Sequence, residues 1–150
     1  MATINLPRDF REFLKLLNVH KVDYLLVGGY AVAFHGYPRA TADMDIWVAV
    51  DPINAERLVA VLKEFGFDVD ELSPELFLAE NQIIRLGVPP VRIEIHTSIS
   101  GVNFDKCYAE RVMDRWDGVD VPLINLEQLK VNKAASGRYK DLNDLEHLSD

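Results

Sequence analysis

The sequence is poor in cysteine, in long apolar runs and in positive charge, and each shortage removes a class of protein. Cys107 is the single cysteine in 150 residues, which excludes an intramolecular disulfide framework and a cysteine-rich zinc site. The longest apolar stretches, such as Tyr24 to Val27 and Ile46 to Val50, fall far short of the roughly 20 residues that cross a bilayer. Met1 to Asp9 carries one basic residue and no apolar stretch of the secretory kind. The expectation is a cytoplasmic protein with no membrane partner. Lys and Arg together number 16 against 24 Asp and Glu, a net charge of −8. Proteins that coat DNA or RNA neutralise phosphates with many cations, so bulk nucleic-acid binding is not expected. A locally basic pocket stays compatible with this balance, because carboxylates that bind metal count toward the net charge until a cation arrives.

What is present is ordinary for a globular domain. The hydrophobic fraction of 49% and the charged fraction of 27% sit near the averages for soluble proteins. With no repeat, no low-complexity stretch and no Pro/Gly/Ser linker, residues 1–150 are expected to form one domain.

Local patterns outline its elements. Pro7 to His20 places Phe10, Phe13, Leu14 and Leu17 at helical spacing, with Pro7 suited to a first turn. Asp23 to Val27 is an apolar run closed by Gly28-Gly29, the mark of a buried strand entering a tight turn. Tyr30 to His35 then reads as a short helix before Gly36 and Pro38. Asp43 to Val50 alternates as a strand, with Asp43, Asp45 and Trp47 on one side and Met44, Ile46 and Val48 on the other. A helix is expected over Ile53 to Phe65, stopped by Gly66. Phe67 to Leu72, Gln82 to Leu86, Pro90 to Thr97 and Val121 to Ile124 are further strand candidates. Asn125 with Gln128 makes a capping-box pattern for a helix running to Ser136, and Asp141 is the expected cap of a last helix. This order describes an α/β (α+β) fold with a mixed central β-sheet flanked by helices.

The chemistry is carried by a constellation rather than by any one motif. Gly28-Gly29 is followed by Asp43-Met44-Asp45-Ile46 and, on a later strand, by Arg92-Ile93-Glu94-Ile95. A strand projects residues i and i+2 to one side, which brings Asp43 and Asp45 toward the same volume. Glu94, with Arg92 and His96, lies opposite Val91, Ile93 and Ile95 on its strand, and supplies a third carboxylate if that face adjoins the aspartates. Two or three carboxylates suffice for magnesium, which keeps several waters, and a pair of cations stabilises both oxygens of an in-line displacement at phosphorus. The paired glycines let backbone approach a triphosphate without a Cβ in the way, and the following helix offers free N–H groups.

The run Val27-Gly28-Gly29-Tyr30-Ala31-Val32 through Arg39-Ala40-Thr41-Ala42-Asp43-Met44-Asp45-Ile46 resembles the signature of the DNA-polymerase-beta-like nucleotidyltransferase superfamily, in particular the small bacterial branch of AbiEii-type toxins. The C-terminal stretch from Leu123 to Leu145 is similar to the closing helices of that branch. The resemblance implies a nucleotidyltransferase fold and transfer of a nucleoside monophosphate from a triphosphate such as ATP or GTP to a protein, RNA or small-molecule acceptor. It implies magnesium, two ions, with manganese as the alternative, held by Asp43, Asp45 and Glu94 as the catalytic residues. It also assigns the triphosphate to Gly28, Gly29 and Lys133, and a toxin–antitoxin or phage-defence setting with a cognate antitoxin as partner.

Beside these roles stand plainer ones. Tyr30, Tyr37 and Trp47 could stack on a base or fill the core. Arg39 and Thr41 could contact triphosphate, or Arg39 could pair with a carboxylate. Lys133 belongs, with Arg138 and Lys140, to the one local concentration of positive charge. His96 could carry a proton or fill a half-buried position, and Cys107 reads as a structural thiol. A binding module that uses the same fold for a protein partner is the competing function. The absence of a Walker-type loop and of kinase catalytic-loop motifs speaks against a kinase.

Overall fold

The computed structural model describes residues 4, 6–88 and 91–148; the end of the expected Pro90–Thr97 strand at Pro90, and most of the first five residues, lie outside them. The chain opens with α1 (Arg8–Val19), an amphipathic helix whose Phe10, Phe13, Leu14 and Leu17 are fully buried. β1 (Tyr24–Val27) follows, buried along its whole length, and leads directly into the short helix α2 (Gly28–Phe34). The helix thus begins two residues earlier than the pattern suggests, on the glycine pair itself.

β2 (Asp43–Val48) leads through Asp51, whose side chain accepts from the Asn54 N–H, into α3 (Pro52–Phe65). Gly66 closes α3 at φ 111°, a left-handed backbone that side chains resist. Phe13 of α1 meets Phe65 of α3 edge to face with ring centres 5.1 Å apart. α1 and α3 therefore pack together, with α1 also against the sheet.

The expected strand over Phe67–Leu72 is not formed. Phe67 is half-buried and stacks on Phe65, but Asp68, Val69, Asp70 and Glu71 are exposed and run to a single 3-10 turn at Pro74–Phe77. With its polar residues in solvent the segment has no face to bury against a sheet. β3 (Ile83–Val88), β4 (Val91–His96) and α4 (Phe104–Ala109) follow, with Cys107 buried in α4.

Val112–Trp116 forms a further strand, β5, beyond those expected; it pairs antiparallel with β6 (Val119–Leu123) through Asp117 and Gly118. Both turn residues have positive φ, 49° and 80°, the backbone of a two-residue hairpin turn for which Asp-Gly is a favoured pair. α5 (Leu126–Ser136) is capped by Asn125, which accepts from the Gln128 N–H. The Gln128 side chain does not complete a capping box, since it donates instead to Glu110. α6 (Tyr139–His147) starts at Arg138, so Asp141 is not its cap; it sits inside the first turn with its carboxylate buried.

The strands form one six-stranded mixed sheet in the order β3-β4-β2-β1-β6-β5. β2 lies parallel to β4 and antiparallel to β1, so the strand that carries the aspartates is central. In the β2–β4 register Asp43 stands opposite Arg92, Asp45 opposite Glu94 and Trp47 opposite His96. Met44, Ile46, Ile93 and Ile95, which alternate with them, are buried in the core.

Candidate active site

A cavity of about 380 Å³ opens over the β1–α2 turn and the charged face of β2, β4 and β3. Its sheet side presents Gly28, Gly29, Asp45, Arg85, Glu94 and His96. Across from these, α5 and the start of α6 contribute Lys133, Arg138 and Lys140. Acidic floor and basic rim thus come from opposite ends of the chain, brought together by the parallel pairing of β1 with β6, the strand that feeds α5.

Glycine is required at the turn by contact as well as by conformation. Gly28 has φ 65°, and a Cβ built on it would overlap the Asp45 carboxylate. Backbone and carboxylate therefore share a space that any other residue would fill. A Cβ on Gly29 would stand 2.5 Å from Thr41 Oγ1. Thr41 in turn donates to the Asp43 carbonyl at 3.0 Å, so it braces the turn against the start of β2 and does not line the cavity.

Asp45, Glu94 and His96 converge. One ligand atom from each lies within 4.8 Å of the other two, and His96 Nε2 is 2.9 Å from Asp45 Oδ1. Two carboxylates and an imidazole, all partly shielded, are a donor set that suits a divalent cation. Burial pushes the Asp45 carboxyl upward, but the hydrogen bond and charge of His96, with help from Glu94 and Lys140, hold it below the usual carboxylate range. Arg85, not among the expected site residues, stands opposite Glu94 in the β3–β4 register and donates to it at 2.6 Å.

Asp43 shares this face but is turned to a different partner. Arg92 Nε and Nη2 donate to its two carboxylate oxygens at 2.9 and 3.0 Å, and Asp43 does not belong to the converging group among the described residues. His96, rather than Asp43, is the third member of that converging group.

Lys133 reaches the cavity wall but is 3% exposed, with its Nζ 3.1 Å from both Asp141 and Asp144. Asp141 also accepts from Arg138 at 2.7 Å and from Ser136 at 2.7 Å. Asp144 is gripped by Arg39 through two bonds of 2.8 Å. Arg39 therefore takes the ion-pair role rather than lining the cavity, and ties α6 to the segment that precedes β2. Hydrogen bonds from Arg138, Ser136 and Lys133 overcome the effect of burial and bring Asp141 down to about 2; Asp144 is lowered in the same way by Arg39 and Lys133. Tyr30 follows the glycine pair but does not line the cavity. Its ring is buried against Phe10 and Trp116 at 5.9 and 6.1 Å, so the core-filling reading applies to it.

The mixed sheet with its helices is the nucleotidyltransferase fold, and the likeness extends over nearly the whole chain. It superposes on a Thermotoga maritima protein classed as a nucleotidyltransferase with TM-score 0.63 and 20% identity, over 97% of this chain and 94% of that one. The lincomycin-bound lincosamide antibiotic adenylyltransferase LnuA gives TM-score 0.56 and 17% identity over 96% of each chain. An antigenic nucleotidyltransferase-like protein from Paracoccidioides brasiliensis gives 0.57 and 22% over 93% of this chain and 74% of that one. Residues 9–148 match the family described as aminoglycoside-2''-adenylyltransferase, and the chain belongs to that family. No curated protein sequence matches it significantly. Among the described residues no helix is long and apolar enough to cross a membrane.

Proposed function

We propose that this chain transfers the adenylyl group of ATP to a hydroxyl of a small polar acceptor. The observation that carries the reading is the meeting of Asp45 and Glu94, paired across β2 and β4, against a glycine turn with no room for a Cβ. Facing them across the cavity are Lys133, Arg138 and Lys140.

In this reading the acceptor oxygen attacks the α-phosphorus, the bond to the bridging α–β oxygen breaks, and pyrophosphate leaves. The acceptor proton passes to water in the cavity. A divalent cation held by Asp45 and Glu94 would neutralise charge on the phosphoryl oxygens as the displacement proceeds. Gly28 and Gly29 let the triphosphate lie against the backbone, and Lys133, Arg138 and Lys140 receive the β- and γ-phosphates, as fixed charges facing the leaving group. In this reading Asp43, freed from Arg92, would supply a carboxylate to a second cation. The family description and the lincosamide-modifying neighbour make hydroxylated antibiotics of the aminoglycoside and lincosamide kinds the first acceptors to test. A protein or RNA acceptor, as in AbiEii-type toxins, is the second class, and a cognate antitoxin would accompany it.

The test is titration calorimetry of the native chain with ATP and other triphosphates in magnesium or manganese, followed by pyrophosphate release with each acceptor class. Metal-dependent ATP binding is expected, with turnover reduced at least about a hundredfold in Asp45→Asn. Absence of heat with every triphosphate and both metals overturns the reading.

A further inference from the structure

We infer that His96 is a direct ligand of the catalytic cation, and that this nitrogen donor shifts the site from Mg²⁺ toward first-row transition-metal ions, for which Mn²⁺ serves as the spectroscopic probe. The inference rests on the reading above that the cavity holds a divalent cation, and concerns which ion and which donors.

Three observations support it. First, the converging donors are Asp45, Glu94 and His96, all within 4.8 Å of one another. Second, Asp43, the carboxylate that would complete an all-oxygen set, is held by two hydrogen bonds from Arg92. Third, the spacing fits. His96 Nε2 and Asp45 Oδ1 are 2.9 Å apart, while adjacent donors of an octahedral ion with bonds near 2.1 Å are separated by about 3.0 Å. A cation would sit to one side of the line between these two atoms, so the imidazole and the carboxylate keep their spacing and turn toward it as the hydrogen bond is given up. Neutral imidazole then binds through Nε2 and keeps its hydrogen on Nδ1.

The position of His96 is set by the fold and not by a mobile loop. It follows Glu94 by two residues on β4, so both project to the cavity face, and it lies opposite Trp47 in the β2–β4 register. Magnesium binds oxygen and retains its waters, whereas affinity for a site with a nitrogen donor rises along the first-row series from Mn²⁺ to Cu²⁺, so Mn²⁺ is the most demanding member of that series to test. One nitrogen among two carboxylates shifts preference toward ions that accept both donor types.

The test uses the native chain without nucleotide, titrated with Mn²⁺ and followed by electron paramagnetic resonance. Pulsed spectra should show the ¹⁴N coupling of a directly bound imidazole, and a large excess of Mg²⁺ should be needed to displace the ion. His96→Gln should remove the coupling and weaken Mn²⁺ binding roughly tenfold or more, while circular dichroism shows the fold retained. Mn²⁺ bound without nitrogen coupling, equal affinity in native protein and His96→Gln, or no Mn²⁺ binding at all would overturn the inference. Failure of the transferase reading shows elsewhere: nitrogen-coupled Mn²⁺ would be present, but no triphosphate would bind.

Discussion

Asp43 and Arg92 stand directly opposite one another on adjacent parallel strands and are joined by two hydrogen bonds of 2.9 and 3.0 Å. The arginine keeps the first carboxylate of the Asp-x-Asp pair on the cavity face but occupied. Replacing Arg92 by Gln should release Asp43 and remove a positive charge next to any incoming cation. The expected outcome is an additional Mn²⁺ ion bound in the presence of a non-hydrolysable ATP analogue, at concentrations where the native chain takes up fewer. Counting bound Mn²⁺ by its free-ion resonance signal measures this directly; an unchanged stoichiometry and affinity would show that Arg92 does not control Asp43.

The glycine turn allows a comparison between strain alone and strain with collision. Gly28 and Gly36 both have positive φ, 65° and 118°, but a Cβ at Gly36 would meet nothing within 4 Å while one at Gly28 would overlap the Asp45 carboxylate. Either alanine substitution should lower stability by about 1–2 kcal/mol through backbone strain. Only Gly28→Ala should also displace Asp45 and abolish metal-dependent nucleotide binding. Chemical denaturation and calorimetry on the two variants separate these effects, and Gly28→Ala with native ATP affinity would remove the turn from the site.

Much of this arrangement is legible in the sequence because its causes are local. The spacing of Phe10, Phe13, Leu14 and Leu17 writes α1, alternation writes β2 and β4, and the same alternation puts Asp45 and Glu94 on charged faces. Their meeting follows once β2 and β4 are neighbours. What could not be read depends on register between distant segments. Nothing within residues 90–97 says that Arg92 will face Asp43 or that His96 will reach Asp45, so His96 passes for a half-buried filler. Tyr30 adjoins the glycine pair in sequence, yet the helix turns its ring into the core against Phe10 and Trp116. The β5–β6 hairpin is a different case, since its signal, Asp117-Gly118, was present locally. Short β5 with its exposed Met113 and half-buried Val112 lacks a continuous apolar run, and the turn pair alone marks it.

Asp141 gives the protein a defined acid limit. Its carboxyl is held at about 2 in the folded chain against 3.8 ordinarily. A depressed folded value means that the network stabilises the protein fully above the unfolded value and that this contribution is lost as pH falls from near 3.8 through about 2. Asp144, also lowered, adds in the same direction. Unfolding free energy measured against pH should therefore drop between pH 4 and pH 2, roughly as linkage requires, with a shallower fall in Asp141→Asn. Parallel curves for the two proteins would mean that the buried ion network does not set acid stability.

The same network carries an imbalance that separates its structural role from its binding role. Arg39, Lys133 and Arg138 surround Asp141 and Asp144, three cations on two anions. Lys133→Met leaves two complete pairs, Arg39 with Asp144 and Arg138 with Asp141, in a site where an unbranched apolar chain of similar length fits. Its cost should be only about 1–2 kcal/mol. Asp144→Asn leaves three cations with one carboxylate and should cost about 3 kcal/mol, because half-buried Arg39 loses its carboxylate and buried Lys133 loses one of its two. If the surplus positive charge exists for the phosphates, the milder variant is the one that loses ATP binding. Lys133→Met should be stably folded yet bind ATP at least roughly tenfold more weakly, a loss expected when a buried charge-assisted contact is removed. Native ATP affinity in a folded Lys133→Met protein would make Lys133 a purely structural counter-ion, and the phosphates would have to be met by Arg138 and Lys140 alone.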